Sequence, residues 1–98
     1  MDTPMTMYEA FDIWKRVSDK QLIRYRCFRN LETNRYAVQS SDRYSLPIDS
    51  KRVTFLEHQF LELLAESSPD ERAATFESLS DAIVAHQRQF DEHPGLTR

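Results

Sequence analysis

The sequence predicts an α+β fold, a two-layer sandwich of order α-β-β-(β)-α-α in which a small antiparallel hairpin sheet packs on helices. Three observations carry this. Apolar residues recur every three or four positions near the N-terminus and again through the C-terminal half. Between about residues 22 and 40 the pattern changes to strict alternation. The chain has 98 residues and is 40% hydrophobic, which suits one domain over 1–98 with an ordered core from about residue 6 to 90.

The first helix is expected from about Met7 to Val17. Thr6 and Glu9 have the spacing of a capping box, and Met7, Ala10, Phe11, Trp14 and Val17 form one apolar stripe. In Leu22 to Phe28, residues Ile23, Tyr25 and Cys27 share one strand face and Arg24 and Arg26 the other. In Arg35 to Ser40, Tyr36 and Val38 share a face opposite Arg35, Ala37 and Gln39. The stretch Asn30 to Asn34 between them is turn-forming. An even-length loop, Glu32-Thr33 or Leu31 to Asn34, pairs Cys27 with Val38 and gathers Tyr25, Cys27, Tyr36 and Val38 on one side. A five-residue loop would set Tyr36 and Val38 against the arginines, so the even loop is preferred. Ser41-Asp42 offers a second turn, and Arg43 to Leu46 a short third strand ended by Pro47.

Asp49 or Ser50 can cap a second helix over roughly Lys51 to Glu66, with Val53, Leu56, Phe60, Leu63 and Leu64 as its stripe. A further strand through Val53-Thr54-Phe55 before the helix is the alternative. Ser68-Pro69-Asp70-Glu71 starts a third helix, with Ser at the cap and Pro at the first helical position. Its stripe is Phe76, Leu79, Ile83, His86 and Phe90, and the tail from Asp91 to Arg98 is expected to fray.

Charge is unevenly spread. Residues 1–14 hold three acids and no base, residues 15–52 ten bases and four acids, and residues 53–98 three bases and nine acids. The single Gly95 leaves no glycine-rich loop to cradle a phosphate, which argues against nucleotide cofactors. No apolar run is long enough to cross a bilayer. The segment Met1 to Met5 lacks a basic region followed by an apolar stretch, and Cys27 is a lone cysteine. Together these place the chain in the reducing cytoplasm, away from membranes.

Arg24, Arg26 and Arg35 are expected on one hairpin face, with Phe28, Leu22 and Ala37 among them. Such a face can recognise a partner protein, because Arg and aromatic residues are enriched in interface cores. It can also bind nucleic acid through bidentate phosphate contacts and stacking. The competing possibility is internal pairing with Glu57, Glu62, Glu66, Glu77 or Asp81. Either a second copy or a helix of the same chain can cover the surface. Cys27 falls on the apolar face and reads as a core cysteine. His58 and Glu62 read as a surface pair, and His86 as a packing residue. No residue nominates itself as a nucleophile, catalytic base or metal ligand. The sequence thus reads as a noncatalytic protein-interaction module without metal or cofactor, homodimeric, recognising its partner through Arg24, Arg26, Phe28 and Arg35. Nucleic-acid binding through the same face is the second reading.

Overall fold

A computed structural model describes residues 5–90. The chain forms three strands and then three helices: β1 (Tyr8–Ser18), β2 (Gln21–Asn30), β3 (Tyr36–Ser45), α1 (Ser50–Glu66), α2 (Pro69–Arg72) and α3 (Leu79–Phe90). The α+β class stands, but the order differs from expectation at the N-terminus. The expected tail at 91–98 lies outside the described residues.

The segment expected to be the first helix is an eleven-residue strand. Its stripe also satisfies period two, with Phe11 and Ile13 on one face and Ala10, Asp12 and Trp14 on the other. It is rich in aromatic and β-branched residues, which suit a pleated surface. Pairing decides between the two periods. β1 runs antiparallel along the whole of β2, from Tyr8 opposite Asn30 to Arg16 opposite Leu22. The Thr6–Glu9 capping box therefore has no helix to cap. The sheet order is β1-β2-β3.

The hairpin between β2 and β3 takes the four-residue loop Leu31 to Asn34. Asn30 donates its N–H to the Arg35 carbonyl at 3.0 Å, and Cys27 pairs with Val38 as expected. Asn34 closes the loop with a φ of 60°, a left-handed conformation that asparagine tolerates better than most residues. The Asn30 side-chain oxygen accepts the Glu32 and Thr33 N–H groups.

The expected turn at Ser41-Asp42 is instead continuous strand with a β-bulge. Cys27 faces Val38 while Arg26 faces Ser40, so Gln39 is an extra residue. The bulge reverses the alternation. Tyr36 and Val38 share the face of Cys27, whereas Asp42 and Tyr44 share the face of Arg24 and Leu22. One strand thereby serves both sides of the sheet.

Helices cover both faces, which corrects the expected two-layer arrangement. Ile23, Tyr25, Cys27 and Val38 form the core with Ala82 of α3, joined by Phe11, Ile13, Tyr36, Phe76, Leu79 and Ile83. On the opposite face α1 lies over the arginines, and its Phe60 ring stacks on Phe28 at 5.7 Å between centroids. α1 begins as the sequence indicates, with the Asp49 carboxylate accepting from the Lys51 and Arg52 N–H groups, so residues 53–55 are helix.

The third expected helix is broken. Pro69 opens α2, but the Ser68 side chain makes no cap bond, and the helix stops at Arg72 with Ala73 extended. Residues 73–78 run beside β3, where Tyr36 and Phe76 exchange two backbone hydrogen bonds of 2.8 Å. Ser78 then starts α3, its hydroxyl accepting the Asp81 N–H. Phe76 thus belongs to a bridge on the edge of β3 rather than to a helical stripe.

Phe28→Ala is expected to lower stability by about 3–5 kcal/mol in urea unfolding, because it removes a fully buried ring and the seat of Phe60. Deletion of Gln39 should abolish a cooperative thermal transition, since it sends Asp42 and Tyr44 to the Cys27 face.

Candidate interaction surface

The hairpin arginines are committed inside the chain. Arg26 is 3% exposed, and its Nε donates to Asp42 Oδ2 at 2.9 Å while its Nη2 donates to Glu57 Oε1 at 3.1 Å. Its guanidinium also lies 4.6 Å from the centroid of the Phe60 ring. Arg24 pairs with Asp12 across strands at 2.9 Å and with Glu57 at 3.5 Å, and sits 5.2 Å from the Trp14 ring centroid. Burial alone would disfavour both charged forms. Hydrogen bonds outweigh it, chiefly to Asp12 for Arg24 and to Asp42 and Glu57 for Arg26, so both guanidinium groups hold their protons more firmly than usual.

Of the expected partner-binding residues, the structure brings Arg24, Arg26 and Phe28 together beneath or beside α1. Phe28 is 2% exposed. Arg35 takes separate partners, donating to Thr75 Oγ1 and to the Thr75 carbonyl at 2.9 Å each. It fastens the 73–78 segment to the turn end of the sheet. Arg29 donates to Glu9 and to Asn34 at 2.8 Å each. Of the acids anticipated as internal partners, Glu57 reaches the strand arginines; Asp42, Asp12 and Glu9 complete the pairing from the sheet itself. These were not visible as partners without the register.

The remaining chemistry-bearing residues are quiet. Cys27 is buried, its thiol lies 3.5 Å from the Tyr25 carbonyl, and burial together with the Asp12 charge pushes its pKa up to about 12. His86 packs edge-on against Tyr25 at 5.9 Å, with Nε2 3.0 Å from Ser41 Oγ. His58 and Glu62 form an exposed i,i+4 pair at 3.1 Å. Among the described residues no cluster of three His, Cys, Asp or Glu can hold a metal ion, and no helix is long and apolar enough to cross a membrane.

Apolar residues are exposed in several places, Phe55, Leu46 and Val84 among them, and one such surface lies on the β1 side of α1 beside a cleft. α1 contacts β2 through Phe60 and β3 through Arg52, whose guanidinium donates to the Arg43 carbonyl. No residue of α1 is fully buried. Between the helix and β1 lies an open cleft of about 710 Å³, lined by Tyr8, Ala10, Phe28, Leu64, Ala65 and Pro69 among others. At 100° per residue, Leu61 falls on the α1 flank that also carries Leu64 and Ala65. Leu61 is 57% exposed and Trp14 54%, and Ala10 is exposed within its strand. Comparison of the chain with protein-family models, curated proteins and solved structures returned no match.

The helical reading of residues 7–17 concealed this surface, because a helix turns Trp14 and Ala10 into its own core. The signal that could have found it is the aromatic and β-branched content of Tyr8 to Val17.

Asp42→Ala should cost roughly 1.5–3 kcal/mol in chemical unfolding, since it strips a charged hydrogen bond from the buried Arg26. Native Cys27 should be inert to thiol reagents at pH 7–8 and react stoichiometrically in denaturant, because its raised pKa keeps it a thiol throughout that range.

Proposed function

We propose that this chain is a noncatalytic protein-interaction module of the reducing cytoplasm, with a second copy of itself as its expected partner. The observation that supports this best is the β1 flank, where Ala10 is exposed in the cleft, Trp14 is exposed farther along the same strand, and Leu61 is exposed on the α1 flank that carries Leu64 and Ala65. Of the arginine set, Arg24 borders this flank beneath Trp14. Arg26 and Phe28 hold the helix that frames it, and Arg35 holds the far end of the sheet. The nucleic-acid reading draws less support, because Arg24, Arg26, Arg29 and Arg35 all bond to groups within the chain. A guanidinium already neutralised by a carboxylate has little left to offer a phosphate.

Chemical cross-linking in the cells that make the protein is expected to give discrete protein adducts. Combining Trp14→Ser with Leu61→Ser should remove them while leaving a cooperative thermal transition. A chain that forms no adducts, or that binds labelled RNA or DNA saturably at low salt and releases it as salt rises, would refute the proposal.

A further inference from the structure

The two sheet edges are treated differently. β3 is closed along part of its length by the Phe76 bridge. β1 has nothing comparable among the described residues. The Leu31 N–H bonds to the Met7 carbonyl, which fixes the phase of the ladder. The odd residues of β1 turn their backbone groups toward β2, and Ala10, Asp12, Trp14 and Arg16 turn theirs outward. None of these outward groups takes part in a backbone bond among the described residues. Such an edge is normally blunted by charged side chains, proline, a short strand or a bulge. β1 has eleven residues, no proline, charges of both signs, and a bulge only at its Arg16–Ser18 end, so Ala10 to Arg16 is a regular edge.

β1 is also complementary to itself. Its first half carries Glu9 and Asp12, which also hold Arg29 and Arg24 through one oxygen each, and its second half carries Lys15 and Arg16, both exposed. Antiparallel pairing of two copies lays each acidic half against a basic half. A two-fold axis normal to the sheet requires opposed residues of equal parity, so the axis passes through one residue. An axis at Asp12 would set two carboxylates face to face. An axis at Ile13 pairs Ala10 to Arg16 with the same stretch of the second copy, stopping short of the bulge at Val17, with Glu9 diagonal to Lys15 and Asp12 diagonal to Arg16. Ile13, half-buried against the core, then meets its counterpart across the axis, with Phe11 of the second copy diagonal to it. On the other face Trp14 comes diagonal to Ala10 of the second copy.

We infer that β1 pairs antiparallel with β1 of a second copy about an axis at Ile13, making one continuous sheet of three strands from each. This rests on the interaction-module reading and names the partner and the edge.

Sedimentation and light scattering should give twice the 11.6 kDa chain mass. Ala10→Pro should yield the monomer, because the lost N–H points outward and no bond to β2 is removed. Ile13→Cys decides the matter even if that variant fails to fold. Ile13 faces its copy in a non-hydrogen-bonded pair, with Cα atoms about 4.5 Å apart, a distance at which a disulfide closes. Mild oxidation of Ile13→Cys should therefore give a covalent dimer, and Lys15→Cys, opposite Phe11, at least roughly tenfold less. A wild-type monomer at every concentration overturns the inference, including one whose edge is covered by residues 91–98. So does a dimer that survives Ala10→Pro and leaves Ile13→Cys unlinked, although the interaction-module reading would then stand. Adducts with other proteins from a chain that stays monomeric would do the same.

Discussion

The buried guanidinium of Arg26 is the point where the elements of the α1 face meet. It stands on β2, takes Asp42 from β3, and takes Glu57 and the Phe60 ring from α1. A charge so nearly removed from water is tolerable only when its donors are occupied by anions or acceptors. The position of α1 follows from this. The helix must bring Glu57 and Phe60 to the same spot, and the stacking of Phe60 on Phe28 sets its height above the sheet. α1 has no fully buried residue of its own, so this polar and aromatic clasp does much of the work that a core would otherwise do.

The clasp in turn depends on a backbone irregularity. Without the extra residue at Gln39, Val38 and Asp42 would lie on the same side of β3. Val38 would then face the arginines, or Asp42 would enter the apolar core beside Cys27. The bulge gives both residues the side their chemistry requires. It also lets Tyr44 reach the Arg24 and Trp14 corner, where its ring lies 6.3 Å from that of Trp14. The two faces thus differ in character. The α3 face is a conventional apolar core around Tyr25 and Cys27, and the α1 face is a network of ion pairs and rings.

That asymmetry bears on function. Seating α1 over β2 and β3 pairs Arg24 and Arg26 with Glu57 and leaves β1 with exposed apolar groups on one side and, among the described residues, no strand along its outer edge. The cluster that looked most like a recognition surface, Arg24, Arg26 and Phe28, builds the interior. The proposed interaction surface instead uses Trp14, Ala10 and Leu61, which are exposed. Two of these lie in the segment whose helical periodicity was misleading, and Leu61 lies outside the expected α1 stripe.

The sequence alone determined the elements whose signals are local and unambiguous. The alternation of Ile23, Tyr25 and Cys27 against Arg24 and Arg26 admits only a strand. The even loop follows from keeping Tyr36 and Val38 off the arginine side. Asp49 caps a helix whichever neighbours it has, and Cys27 and His86 read as interior from their places in apolar stripes. Only the tertiary structure decided the rest. Met7 to Val17 fits both a 3.6-residue and a two-residue period, and the unsatisfied edge of β2 resolves it in favour of a strand. The bulge at Gln39, the break at Ala73 to Ser78 and the helix that covers the arginines are set by partners distant in the chain, Arg26, Tyr36 and Phe28. Their chemistry acts through space, and no local pattern encodes which of several carboxylates or rings will arrive.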